Sequence, residues 1–173
     1  MSPMNPSPHV ICIAAFGRGY GKTTLIQGVT KILTSKGMRV SVIKHSAHAL
    51  EKDPGKDTSR FMESGAFASA ILAKDGECAI YLPNQSLTGL ISLLSSLGVD
   101  LILCEGFKSS PYPKLVIVNS PGELKMVGAL KGVIGVISEC LDQGQELKVP
   151  ILGKDPSTVA DFILSQTKGG SKS

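Results

Sequence analysis

Residues Ala14 to Ile26 read AAFGRGYGKTTLI, and this stretch constrains the fold more than any other. Its end, Gly21-Lys22-Thr23, closes a phosphate-binding loop, whose usual form is Gly, four residues, Gly-Lys, then Ser or Thr. Counting back, the first glycine belongs at position 16, where this chain has Phe16. The flanks still supply the required context. Upstream, HVICIAAF is a continuous apolar run with β-branched residues, the pattern of a strand buried on both faces. Downstream, Leu25, Val29, Ile32 and Leu33 share one helical face, and Gly37 is placed to close the helix.

A strand, a glycine-rich turn and a helix together make an anion site. Gly17, Gly19 and Gly21 allow backbone N–H groups to curl toward phosphate, and the helix N-terminus adds about half a positive charge. Lys22 is the residue expected to reach the β and γ phosphates, and the Thr23 hydroxyl to bind Mg²⁺. With Phe16 in place of glycine, Gly17 is expected to take over the missing backbone freedom.

The rest of the chain reads as strands alternating with helices. MRVSVIKH, FASAILA, ECAIYL, VDLILCEGF, KLVIVN, MVGAL, GVIGVIS and VPIL are strand-like; RFMESGAF, SLTGLISLLSSLG and a C-terminal helix capped by Asp155 are helical. The polar segment SAHALEKDPGKDTSR between the second strand and the next helix reads as loop. In SLTGLISLLSSLG, Leu87, Leu90, Ile91, Leu94 and Leu97 share a face. This alternation predicts an α/β fold: a mostly parallel sheet wrapped by helices, a three-layer architecture like that of P-loop NTPases. One nucleotide-binding domain is expected over residues 10–167, with a flexible segment at 1–9 and a disordered tail at 168–173.

Ligands in such folds sit at the carboxyl ends of strands. One strand ends in Glu105-Gly106, where a carboxylate can hold a Mg²⁺-bound water. Lys108 and Lys114 flank the following loop and meet either an anion or solvent. Another strand ends in Lys44-His45, followed by His48, Lys56 and Asp57, in a loop that would face the γ phosphate. His45 and His48 lack a nearby cysteine, which argues against zinc.

Composition narrows the classes further. The 173 residues carry a net charge of +4, with scattered lysines and no tryptophan, which gives little support to nucleic-acid binding. No apolar run approaches the roughly 20 residues of a membrane span, and the start lacks a secretory signal. Cys12, Cys78, Cys104 and Cys140 have no metal-ligand spacing and are expected to be small buried hydrophobes, which suits a reducing cytoplasm.

The succession GYGKTTLI, VIKHSAH, GKDTSRFMESGA and LCEGFKSSPYPKL resembles the MobB family of molybdopterin-guanine dinucleotide biosynthesis adapter proteins. The resemblance covers most of residues 10 to 118. It implies a P-loop protein that binds GTP with Mg²⁺, has at most slow GTPase activity and forms homodimers. It also implies a role assisting a MobA-like guanylyltransferase in attaching GMP to molybdopterin. By this similarity Gly19, Gly21, Lys22, Thr23 and Thr24 serve the phosphates and Glu105 serves Mg²⁺, beside the Gly17 and Thr23 roles read from the loop itself. Lys44, His45, His48, Gly55, Lys56 and Asp57 form the family's functional loop. The chain departs from the family at Phe16, at Tyr20 (usually small), and at Ala47 and Ala49. The alternative from the residues alone is a small-molecule kinase or ATP-dependent ligase on the same scaffold. Guanine preference rests on the resemblance, since no guanine-reading motif stands out.

Overall fold

Six strands hydrogen-bond side by side in the order β2-β5-β1-β6-β7-β8, and every neighbouring pair is parallel. The computed structural model describes residues 7–48, 56–140 and 147–168. Of the flexible segment expected at 1–9, residues 1–6 lie outside the described residues, while His9 already begins a strand. Of the tail expected at 168–173, Lys168 ends a helix and the rest lies outside them, as does Gly55 in the functional loop.

The chain divides into two compact units. The first, residues 1–45 and 94–173, holds the parallel sheet: β1 (His9–Ala15), β2 (Val40–Lys44), β5 (Leu101–Glu105), β6 (Lys114–Ile117), β7 (Val133–Ile137) and β8 (Ile151–Leu152). It also contains α1 (Lys22–Ser35), the short α4 (Leu124–Val127) and α5 (Pro156–Lys168). The second unit, residues 46–93, contains α2 (Lys56–Glu63) and the antiparallel hairpin of β3 (Ser69–Leu72) and β4 (Cys78–Tyr81). Helix α3 (Leu87–Ser96) runs across the boundary between the units.

Strand side chains alternate between faces, and each face of the sheet has its own core. On one face Ile11, Ile13, Leu101, Leu103, Leu115 and Ile117 pack beneath Leu25, Ile26, Val29 and Leu33 of α1 and Val159, Ala160 and Ile163 of α5. Gly28 lets the two helices approach, because a Cβ there would lie 2.6 Å from Pro156 Cγ. On the other face Val116, Val118 and Val136 pack against Val127 of α4. Helix–sheet–helix layering follows from this alternation, as expected for a buried parallel sheet.

Several sequence expectations need correction. MVGAL is not a strand: its first residues end the helical turn α4, which buries Val127. The loop expected up to Arg60 is shorter, because α2 begins at Lys56. Its first turn, Lys56 to Ser59, carries no apolar residue, and that hid it. In α3 no residue is fully buried, and Leu97, expected on its apolar face, lies beyond the end of the helix with 59% of its surface exposed. Cys12 and Cys104 are buried as expected, but Cys78 and Cys140 are exposed.

The largest departure is Lys114, expected to meet an anion or solvent and found with 0% of its surface exposed. Its Nζ donates to the carbonyl oxygens of Ser110 (2.8 Å), Tyr112 (2.9 Å) and Lys131 (2.5 Å). An ammonium has three donors, and all three are taken by backbone. Lys114 thereby ties the loop after β5 to the turn before β7. Cys12, its register partner on β1, pairs with Cys104 on β5. The Cys104 thiol bonded to Cys12 pulls Cys12 below the usual thiol range against the effect of burial, helped by Ser110 and the Lys114 charge.

Lys114→Met keeps much of the volume but leaves three carbonyls without their donor. Each buried unsatisfied group costs about 1–3 kcal/mol. The variant should lose roughly 3 kcal/mol or more of unfolding free energy in a urea titration; a loss under about 1 kcal/mol would show the clamp to be dispensable.

Candidate functional site

Strand β1 ends at Ala15, and the chain turns through Phe16 to Gly21 into α1. The turn is made at Gly19 (φ +73°) and Gly21 (φ +76°), a region that L side chains rarely adopt. Gly17 does not have a positive φ, so it does not replace the missing glycine's freedom as expected. Its role is spatial: a Cβ on Gly17 would lie 2.4 Å from the Tyr20 ring. Tyr20 therefore lies against the bare backbone of Gly17, and its hydroxyl donates to Glu123 Oε1 at 2.6 Å. Phe16 is accommodated because its side chain packs against the second core, while the Lys108 ammonium sits 5.2 Å from its ring centroid.

Gly21 is the N-cap of α1, and no side chain caps this helix among the described residues. The first turn holds no acidic residue. Its N–H groups and the helix dipole are thus left facing the loop, an arrangement that favours an anion. Lys22 Nζ donates to Gly17 O at 3.1 Å across the loop.

Parallel pairing of β1 with β5 brings Glu105 beside this turn. Thr23 Oγ1 lies 3.0 Å from Glu105 Oε1 and 3.1 Å from Oε2. A hydroxyl and a carboxylate this close form an oxygen donor set suited to a hard divalent cation such as Mg²⁺. Lys44, at the end of neighbouring β2, brings its Nζ to 3.9 Å from Glu105. A cleft of about 370 Å³ is lined here by Lys22, His45, Glu105, Gly106, Phe107 and Lys108, among others. Phe107 adopts φ +52° and meets the His45 ring edge-on at 5.1 Å. Sequence reasoning missed Phe107, and the signal it offered was only its place after Glu-Gly at a strand end.

The expected site residues thus fall into groups. Gly17, Gly19, Gly21, Lys22, Thr23, Glu105, Lys44 and His45 lie together at the ends of β1, β5 and β2. Thr24 lines a second cleft beside the loop. His48, Lys56 and Asp57 belong to the second unit. There Ser46 Oγ donates to the His48 carbonyl at 2.9 Å, and Asp57 pairs with Arg60 at 3.7 Å. Lys56 is the first residue of α2.

Residues 10–139 match the family model described as molybdopterin guanine dinucleotide synthesis protein B. A Bacillus subtilis protein named "Probable molybdopterin-guanine dinucleotide biosynthesis adapter protein" is 30% identical over 99% of both chains. The Escherichia coli molybdopterin-guanine dinucleotide biosynthesis adapter protein is 34% identical over 84% of this chain and 86% of its own. Among solved structures, Bacillus subtilis MobB superposes with a TM-score of 0.71 at 31% identity, over 91% of this chain and 97% of that one.

The packing of Tyr20 on Gly17 yields a mutational cycle. Gly17→Ala should lower the melting temperature by several degrees, because the ring must move and release Glu123. In a Tyr20→Ala background the same substitution should cost almost nothing. Equal losses in both backgrounds, measured by thermal denaturation, would mean that Gly17 acts through its backbone instead.

Proposed function

The chain belongs to the molybdopterin guanine dinucleotide synthesis protein B family, and from that membership we propose that it is a nucleotide-binding adapter of molybdopterin-guanine dinucleotide biosynthesis. Its proposed nucleotide is GTP with Mg²⁺, and its proposed partner is the guanylyltransferase that joins GMP to molybdopterin. The observation that carries the nucleotide part is the convergence of Lys22, Thr23 and Glu105 at the uncapped start of α1.

In this reading Gly19, Gly21 and Thr24 contribute backbone N–H groups to the phosphates. Lys22 would exchange its bond to Gly17 O for phosphate oxygens, and Thr23 and Glu105 would hold the Mg²⁺, Glu105 through water. The cation, when bound, would offset phosphate charge. His45 lines the same cleft and Lys44 reaches its Glu105 carboxylate, and the two are suited to an additional anionic group. The loop residues His48, Gly55, Lys56 and Asp57 are proposed to act with them as the family's functional loop. Hydrolysis should be slow, because Arg18 is the one arginine in the phosphate loop and no glutamine lies in it to orient water. No helix among the described residues is long and apolar enough to cross a membrane. The free cysteines suit a cytoplasmic location.

We also propose a homodimer. A two-stranded hairpin is marginal alone, yet β3 and β4 leave Leu72 77% and Ile80 56% exposed, with Phe67 at 84% between α2 and β3. Apolar surface of this kind is usually covered by a partner.

Lys22→Ala should weaken Mg²⁺-GTP binding by about 1.5–3 kcal/mol, the worth of a hydrogen bond to a charged group. Calorimetry giving equal affinity for variant and parent would remove the phosphate assignment. Turnover of GTP near about 10 s⁻¹, the median for enzymes, would replace the adapter reading with an enzyme. Leu72→Lys combined with Ile80→Lys should shift the light-scattering mass from dimer to monomer; an unchanged mass would move the interface elsewhere.

A further inference from the structure

The proposed nucleotide site uses none of the thiols, yet two of them sit in a chemically capable cluster. Cys104 on β5, Cys12 on β1 and Lys114 on β6 are register partners across three neighbouring parallel strands. Their side chains therefore leave the same face of the sheet. It is the face opposite to the one on which Ile11 and Ile13 pack under α1 and α5. All three residues are fully buried. Neighbouring strands lie about 4.7–4.9 Å apart, inside the Cα separation of about 4.4–6.8 Å that a disulfide spans. The Cys104 thiol already donates to the Cys12 sulfur.

The two thiols are not equivalent. Ser110 Oγ lies 3.4 Å from Cys12 Sγ, and Lys114 Nζ holds that serine in place by donating to its carbonyl oxygen at 2.8 Å. The bond from Cys104, helped by Ser110 and the Lys114 charge, holds the Cys12 thiol below the usual range against the effect of burial. Cys104 is pushed the other way, first by its bond to Cys12 and then by burial. Cys12 is thus the nucleophile, because the thiolate is the reactive form, and Cys104 keeps its proton. Ser110 itself is only half-buried, in the loop after β5. The Cys12 sulfur is one hydroxyl away from that loop, so an oxidant that reaches it must be small.

We propose that Cys12 and Cys104 form an oxidisable dithiol, with hydrogen peroxide as the oxidant and Cys104 as the resolving thiol. The Cys12 thiolate attacks one peroxide oxygen. An S–O bond forms as the O–O bond breaks, the sulfur is oxidised by two electrons, and the hydroxide departs as water with the proton that Cys12 gave up. The Cys104 sulfur then displaces the hydroxyl of the Cys12 sulfenic acid. The S–S bond forms, the S–O bond breaks, and the Cys104 proton leaves in a second water. Two thiols and one hydrogen peroxide give one disulfide and two waters. Ile13 pairs with Glu105 at the next register position, so the new bond fixes β1 to β5 directly before the Glu105 carboxylate.

The test reads mass and free thiol, and so stands apart from any nucleotide. The folded full chain is first treated with N-ethylmaleimide, which blocks the exposed Cys78 and Cys140. Hydrogen peroxide should then remove the mass of two hydrogen atoms and give a Cys12–Cys104 cross-linked peptide on non-reducing digestion. Dithiothreitol should restore both thiols. Cys104→Ser should stop at the sulfenic acid, one oxygen heavier at Cys12 and trapped by dimedone on unfolding. Cys12→Ser should leave Cys104 unmodified. The parent chain decides even where a variant fails to fold. Both thiols staying reduced at a peroxide concentration that oxidises free cysteine overturns the proposal. A cross-link that forms only in urea overturns it too, since the folded arrangement would then play no part. Oxidation of Cys104 in the Cys12→Ser chain would contradict the assigned roles and overturns it as well.

Discussion

Parallel hydrogen bonding of β1 on both edges positions most of what this protein does. β5 pairs with it along His9 to Ile13, and β6 takes over from Cys12 to Ala15. A strand bonded on both edges and packed on both faces cannot shift by one residue without turning its apolar side chains to the wrong layers. Because all three strands run the same way, their carboxyl ends open on one side. The loop after Ala15 and the Glu105 carboxylate are consequently delivered to neighbouring positions by register. The site inherits its geometry from the sheet.

A second constraint acts on the loops, which the sheet alone would leave free. Lys114 starts β6, and its buried ammonium gathers carbonyls from the loop after β5 and from the turn before β7. Burying a cation is unfavourable unless its donors are matched. Here the match is complete, so the segment between Glu105 and Lys114 is drawn against the sheet. That segment carries Phe107 and Lys108, which meet His45 and Phe16. One inward-turned lysine thereby links the segment after Glu105 to the loop before α1.

Much of this was legible in the sequence, and the limits have physical causes. The buried strands β1, β5, β6 and β7 announce themselves as apolar runs, and the Gly-Lys-Thr ending announces the loop. Glu105 was found because it ends such a run. Lys114 was misjudged because a lysine beginning a strand looks the same whether its Nζ meets solvent or carbonyls; the acceptors come from residues up to 17 positions away. MVGAL misled because four apolar residues carry no periodicity long enough to separate strand from helical turn. Asn119 and Lys154, hydrogen-bonded in the second cleft, are 35 positions apart, and only the adjacency of β6, β7 and β8 brings them together.

The two departures in the phosphate loop, Phe16 and Tyr20, are best understood together. A glycine at position 16 would leave the strand end without a side chain to anchor it. Phe16 instead extends the second core to the edge of the loop. Rigidity gained there leaves the turn to Gly19 and Gly21, where positive φ angles are found. Tyr20 then lies across Gly17, and its hydroxyl reaches Glu123, whose other oxygen holds Asn119. The loop is braced by a core aromatic on one side and by a hydrogen-bonded aromatic on the other. A small residue at position 20 would free Gly17 from its steric requirement and sever the loop from Asn119. The two aromatics thus replace backbone freedom with packing, and the same packing couples the phosphate loop to the neighbouring cleft.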